Sequence, residues 1–260
     1  MANGVWQVYA VKYGHHHRMS SENFIGGDSH EVPMPLDYFV WALVSDDRAL
    51  VVDTGFSEFS GGRRGRNFLR SPDLGLKSIG IDAAKVEDVL ITHMHFDHSG
   101  NHELFPAARY HVQDREMFYC TGRLMGHPVL RMPFDEEDVV AMVQKLFRGR
   151  LVFHDGDEEI APGLSLHRVG GHSMGLQMVR AQTRRGAVVL ASDASHFYAN
   201  MEQGRPFPVV YSVGETLEGY RRAYALASSR DHVIPGHDPL VLERYPAPSP
   251  ELQGWVARLD

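Results

Sequence analysis

The chain is nearly without cysteine, has no long apolar run and shows no excess of positive charge, and each shortage closes off a class of function. Cys120 is the single cysteine in 260 residues, so an internal disulfide and a thiolate metal cluster are both excluded. No segment nears the ~18–20 apolar residues that span a bilayer. Met1–Tyr13 has neither the apolar core nor the cleavage pattern of a secretory signal, so the expectation is a cytoplasmic protein with no membrane contact. Lys and Arg number 26 against 33 Asp and Glu, a formal charge of −7, which leaves no electrostatic footprint for nucleic acid. The one basic knot, Arg63, Arg64 and Arg66 among glycines, reads as a solvated loop. Linkers, low-complexity tracts and short-period repeats are also missing. With 43% hydrophobic residues a core can form, and the expected organisation is one domain over residues 1–260.

Local patterning gives short strands with helices between groups of them. Val5–Val11 alternates like a half-buried strand, and Tyr38–Val44 with Ala49–Val52 reads as a hairpin turning at Asp46-Asp47. Val89–Thr92, Leu164–Val169, Leu176–Ala181, Ala187–Ala191 and the short run His232–Ile234 are further strand candidates, with Arg184-Arg185-Gly186 as a turn. Residues 135–148 place Val139, Met142, Val143, Leu146 and Phe147 on one helical face, with acidic residues first and Gly149 just beyond the end. Ser212-x-x-Glu215 is a capping-box pattern opening a helix to about Ser228. This order suggests a layered α/β arrangement.

What is abundant is histidine, 16 residues in all, and the positions matter more than the number. His93, His95, Asp97 and His98 fall within six residues just after a strand end. Neutral imidazole and carboxylate donors in such density suit zinc, and also manganese, iron or cobalt. His93 and His95 can share one ion while Asp97 and His98 turn toward a second. His172, Asp193 and His237 each follow a predicted strand, which is where α/β proteins build sites. His15-His16-His17 reads as a polar loop, and Gly14–His30, with Met19 and Phe24, as a segment overhanging the pocket. His102, His111, His127, His154 and His167 read as structural, and Cys120 as a small buried side chain. Phe207, Pro208 and Tyr211 could line the pocket or pack in the core.

Taken together, Asp53-Thr54-Gly55, the His93–His98 run, His172, Asp193 and His237 resemble the metallo-β-lactamase superfamily over residues 53–237. The resemblance implies an αββα sandwich of two mixed sheets flanked by helices, with two divalent metal ions at one edge. It implies His93, His95 and His172 on the first ion, Asp97, His98 and His237 on the second, Asp193 bridging, and Asp53 behind them orienting ligands. Phe96, Gly100-Asn101, Gly171-His172-Ser173-Met174-Gly175 and Ser192-Asp193-Ala194 look most like the N-acyl-homoserine-lactone lactonase group. That group carries a tyrosine three residues after the bridging aspartate. Here the position is His196, and the nearest tyrosine is Tyr198.

The implied reaction is attack on a lactone carbonyl by a hydroxide bridging the two ions, with His196 or Tyr198 as donor to the oxyanion and Asp97 relaying a proton to the leaving alkoxide. The expected partner is a small molecule, acyl-homoserine lactone or another small lactone, aromatic ones included; a homodimer is left open. Met19–Gly27 and Arg205–Tyr211 offer Met, Phe, Pro and Tyr rather than clustered lysines, which favours an uncharged, partly apolar substrate. Competing readings on the same ligands are a thioesterase of the glyoxalase II type, a phosphodiesterase or an amide hydrolase. His95 stands where a redox di-iron relative would carry a carboxylate. A metal protein without catalysis is the reading from another class, and the complete ligand set argues against it.

Overall fold

The computed structural model describes residues 4–46 and 48–260. Met1–Asn3 of the N-terminal segment and Asp47 of the predicted hairpin turn lie outside the described residues. The first sheet contains β1 (Gln7–His16), β2 (Leu36–Val44), β3 (Ala49–Val52), β4 (Asn67–Phe68), β5 (Asp88–Leu90), β6 (Arg109–Gln113) and β7 (Leu151–His154). The second contains β8 (Glu158–Ala161), β9 (Leu164–Arg168), β10 (Gln177–Thr183), β11 (Gly186–Ser192) and β12 (Val233–Pro235); β13 (Val256–Arg258) returns to the edge of the first. Strand order is β13-β1-β2-β3-β5-β6-β7 in one sheet, with β4 on β1, and β12-β11-β10-β9-β8 in the other. β3, β5, β6 and β7 are parallel to their neighbours in that series, and the β1–β2–β3 pairs are antiparallel. In the second sheet only the β11–β12 pair is parallel.

Two-residue periodicity explains how β2 is buried on both faces. Phe39, Trp41 and Leu43 join a core with Leu166, Met178 and Leu190 of the second sheet, whereas Tyr38, Val40 and Ala42 join the helix-covered core with Leu76, Phe105 and Met117. The αββα sandwich of mixed sheets and helices is thus the observed fold. β10 and β11 meet across Arg184-Arg185 with Thr183 opposite Gly186, the tight hairpin that the turn residues predict.

Several elements differ from expectation. β1 is longer than Val5–Val11: Gly14, His15 and His16 pair with Tyr38, Asp37 and Leu36 after a bulge, so the histidine triplet is mostly strand rather than loop. His15 Nδ1 and Lys12 Nζ each lie 2.7 Å from Asp37 Oδ1, which gives the polar side chains local partners. The helix Glu136–Phe147 buries Met142 but leaves Phe147 87% exposed, so the predicted apolar face is only partly used. Ser212 Oγ accepts from Glu215 N at 3.3 Å at the start of the helix Val213–Leu226. Glu215 does not complete the box; its Oε2 accepts from Gly171 N at 3.2 Å, tying the helix to the loop that carries His172. No helix among the described residues is long and apolar enough to cross a membrane.

Candidate metal centre

The candidate residues converge where the two sheets meet at one edge. After β5 the chain continues through Thr92 to His95, which caps the short helix Phe96–Ser99. His172 follows β9, Asp193 follows β11 and His237 follows β12, so each sheet supplies part of the cluster. The sheets are joined just behind it: Gln177 N donates to Thr92 O at 3.0 Å, and the Thr92 and Ser192 hydroxyls lie 2.9 Å apart. Gly236 is required by proximity, because a Cβ there would sit 2.6 Å from Asp193 Oδ1.

One group of nitrogens is His93 Nε2, His95 Nδ1 and His172 Nε2, with His95 Nδ1 3.0 Å from the first and 2.8 Å from the third. A second group is Asp97, His98 and His237: Asp97 Oδ2 lies 3.6 Å from His98 Nε2 and 3.7 Å from His237 Nε2. Asp193 stands between them. Its Oδ2 is 3.2 Å from His172 Nε2 and 3.8 Å from His93 Nε2, while its Oδ1 is 2.9 Å from His237 Nε2 and 3.4 Å from His98 Nε2. All of these side chains are buried or nearly so.

Supporting groups fix which ring atom faces inward. Asp53, in left-handed backbone (φ 61°), accepts from Thr92 N at 2.7 Å, Thr92 Oγ1 at 2.8 Å and His98 Nδ1 at 2.7 Å. His237 Nδ1 donates to Asp37 O at 3.0 Å. In the neutral ring, Nε2 of each histidine is then a lone pair aimed at the cluster. Glu116, fully buried, accepts from Met94 N and Ser173 Oγ at 2.8 Å and from Gly175 N at 2.9 Å. It therefore ties the His93–His98 loop to the loop after His172. A Cβ on Gly175 would meet Glu116 N at 2.2 Å, so only glycine lets the two segments touch.

The donor set fits a divalent cation. His98 Nε2 and Asp193 Oδ1 are buried with no hydrogen-bond partner among the described residues, which is costly unless something positive lies between them. Burial, then neighbouring histidines, hold His93 well below its ordinary pKa; His95 is also far down, and His172 is pushed down to about 3. These rings stay neutral, the state a cation needs. At His98 and His237 burial also acts to lower the pKa, but the carboxylates of Asp193 and Asp97 outweigh it and raise both. Burial pulls Asp193 up, and its four histidine neighbours bring it well below the carboxylate range. Three neutral imidazoles, two more histidines drawn to the carboxylates of Asp193 and Asp97, and no thiolate form a site for a divalent metal.

A cavity of about 130 Å³ opens onto the cluster, and an apolar recess of about 90 Å³ adjoins it across His95, His172, Met132, Pro133 and Val209. A larger cavity of about 620 Å³ lies beyond Arg64 and Met132 and touches none of these histidines, so its size says nothing about the chemistry. His196 lines the small cavity, its Nε2 3.1 Å from Asp193 Oδ2 and its ring stacked on Phe207 at 3.7 Å. The structure does not bring Tyr198 there. Tyr198 opens the helix Tyr198–Gln203, packs in the inter-sheet core, and has Arg244 over its ring at 3.8 Å. Phe207 is a wall of the cavity, whereas Pro208 and Tyr211 line the apolar recess.

Four wall residues carry little sign of that role in the sequence. Tyr38 reaches the cavity with its ring edge-on to His237 at 5.0 Å, yet in Leu36–Val44 it looks like one more core residue. Arg66 and Arg64 also line the cavity, which corrects their reading as a solvated loop: the chain turns back after the helix Glu58–Arg63 and directs them inward. From the Gly14–His30 segment it is Arg18 that reaches the wall. Phe24 is instead buried, and Ile25 N donates to Pro206 O at 2.8 Å. His111, His154 and Asp88 form a separate hydrogen-bonded chain, His102 meets Lys145, and His167 lies 3.0 Å from Asp157.

The fold and this cluster define a member of the metallo-β-lactamase superfamily: residues 34–237 match that family, and the chain belongs to it. Among curated proteins it is similar to an N-acyl homoserine lactonase of Bacillus thuringiensis, 26% identical over 187 residues, covering 66% of this chain and 69% of that protein. It is also similar to an N-acyl homoserine lactonase of Agrobacterium fabrum, 28% identical over 214 residues, covering 74% and 76%. Among solved structures, a quorum-quenching N-acyl homoserine lactone lactonase superposes with a TM-score of 0.74 at 23% identity, covering 92% of this chain and 94% of that one.

Proposed function

We propose that the chain is a metal-dependent hydrolase that opens a lactone, using two divalent ions, zinc before manganese, iron or cobalt. His93, His95 and His172 would hold one ion, Asp97, His98 and His237 the other, and Asp193 would be shared. The observation that carries this reading is the Asp193 carboxylate, whose Oδ2 faces the first nitrogen group and whose Oδ1 faces the second. A single cation would leave one oxygen and one nitrogen group uncompensated. The lactonase names of the relatives support the reaction class. Bound there, divalent ions supply a Lewis acid and water of lowered pKa.

The chain's own residues do the rest. Asp53 and the Asp37 carbonyl keep His98 and His237 in the ligating tautomer. Asp97, only 9% exposed but bordering the cavity, takes the proton of the attacking water and passes it to the leaving alkoxide. His196 and Tyr38 flank the place of the carbonyl, and one of them donates to the developing oxyanion. Phe96, Pro133 and Phe207 keep bulk water from the reacting atoms.

The test is metal analysis with steady-state kinetics on lactones beside a thioester, a phosphodiester and a β-lactam. The reading expects about two ions per chain and a lactone kcat/KM of ~10⁴ M⁻¹s⁻¹ or more. A thioester or phosphodiester turned over far faster than every lactone would leave the fold correct and the reaction wrong.

A further inference from the structure

Two guanidinium groups face the same small cavity without a carboxylate ion-paired to them among the described residues. Arg18 and Arg66 both line it. Arg18 Nε donates to Asn23 Oδ1 at 2.7 Å and Nη2 to Glu22 O at 2.5 Å, both neutral atoms. Arg66 Nη1 donates to Arg64 O at 2.7 Å, and its Nε is buried without a hydrogen-bond partner among the described residues. Arg64, by contrast, is paired with Asp135 at 2.6 Å.

Arg18 and Arg66 also act on each other. Burial lowers the pKa of Arg18, Glu22 and Tyr38 oppose this, and the charge of Arg66 lowers it further. His16 beside them is pushed down to about 4 by burial, then by Arg66 and Arg18. The Glu22 carboxylate offsets part of this field, but its Oε2 accepts Met19 N at 2.8 Å. Two half-buried like charges side by side cost stability unless an anion comes to them.

We propose that Arg18 and Arg66 bind a carboxylate of the substrate, so that the molecule opened is a compact anionic lactone. The proposal rests on the reading of the site as a lactone hydrolase, and it replaces the uncharged substrate that the sequence favoured. Guanidinium pairs suit planar carboxylates, which they grip with two parallel hydrogen bonds. The chain is acidic overall, at −7, so these arginines are a local device and not part of a basic surface. The cavity of about 130 Å³ and the recess of about 90 Å³ are small beside ordinary ligand sites of roughly 300–1,000 Å³. They suit a ring at the cluster, its carboxylate on the arginine side and a short apolar group on the other.

Two arms test this in metal-loaded protein. In the first, kcat/KM is compared for γ-butyrolactone γ-carboxylate and its methyl ester. Wild type should favour the carboxylate by tenfold or more, and Arg66→Gln or Arg18→Gln should each cut that preference by ~10–100-fold, with Arg66→Lys in between. An ester preferred by wild type, or a ratio untouched in both variants, overturns the proposal. In the second arm glutarate binding is measured by calorimetry. It should weaken at least tenfold in Arg66→Gln and in Arg18→Gln; equal affinity in wild type and both variants overturns the subsite. If no lactone is turned over, the hydrolase reading fails on its own while glutarate still judges the arginines. Metal content and thermal midpoint identify a variant that has merely misfolded, and Arg66→Lys then carries the comparison.

Discussion

Replacing Glu116 with glutamine tests whether a buried carboxylate outside the ligand set holds the site together. The carboxylate accepts three hydrogen bonds, from Met94 N, Ser173 Oγ and Gly175 N. An amide can keep its oxygen toward Met94 N, which puts an NH₂ toward the other two donors. The Ser173 hydroxyl can rotate to accept, but the Gly175 N–H cannot, and one buried N–H without a partner costs about 1–3 kcal/mol. The remaining bonds lose their charge assistance. Against this, burial raises the pKa of Glu116, so some desolvation cost is relieved. The net expectation is about 2 kcal/mol of destabilisation, or roughly 4–8 °C in Tm for a chain of this size. Met94 lies between His93 and His95 and Ser173 follows His172, the proposed ligands, so zinc affinity should also fall, by ~10–100-fold as for other groups that orient ligands. Urea unfolding with excess zinc and competition with a chromophoric chelator read the two effects separately. Stability within ~0.5 kcal/mol of wild type together with unchanged zinc affinity would refute the reasoning.

Asp53→Asn should free the His98 ring and weaken metal binding by ~10–100-fold, read by the same chelator assay; unchanged affinity would mean His98 is held by something else. Asp193→Asn should weaken both ions together, because a neutral amide cannot screen two cations, and metal analysis showing loss of just one would count against the shared role. Of His196→Ala, Tyr38→Phe and Tyr198→Phe, one of the first two should lower kcat by about a hundredfold with metal retained, whereas Tyr198→Phe should stay near wild type. His16 titrates near 4 in the folded chain, below its ordinary 6.5. Above pH 6.5 it is neutral in both states; between 6.5 and about 4 the unfolded chain alone takes the proton, so stability falls as pH falls. His16→Gln should remove that part of the acid limb, seen in urea midpoints at neutral and mildly acid pH, and an unchanged slope would show that other groups set it.

The legible part of the site was the part written contiguously. His93, His95, Asp97 and His98 lie on one short loop, and His172, Asp193 and His237 each follow a strand, so spacing and strand ends, with the family resemblance, were enough to group them as candidates. Tyr38, Arg18, Arg66 and Glu116 reach the centre from separate segments, and nothing near them in the chain indicates where they point. Tyr198 was misjudged for the opposite reason: it is two residues from His196, but the helix that begins there turns it into the core. Among the strands, apolar runs such as those of β2 and β11 were easily seen. The Arg109–Gln113 strand, with its mixture of charge and aromatic rings, takes its conformation from parallel neighbours on both sides, a non-local cause that local patterning does not register.

His93, His95, Asp97 and His98 are carried on a segment leaving the first sheet, and His172, Asp193 and His237 on segments leaving the second. Whatever cation the centre takes is thus a clasp between two layers, and chelating it is a mechanical act as well as a chemical one. At this rim the free energy of metal binding and the free energy that keeps the layers shut are one quantity. Stripping the metal should let the rim breathe while the far strands, β7 and β8 among them, stay closed. Amide hydrogen exchange would then quicken around Thr92, Gly171 and Gly236 and remain slow elsewhere, so the protein would wear its metal content as a gradient of opening from one end of the sandwich to the other.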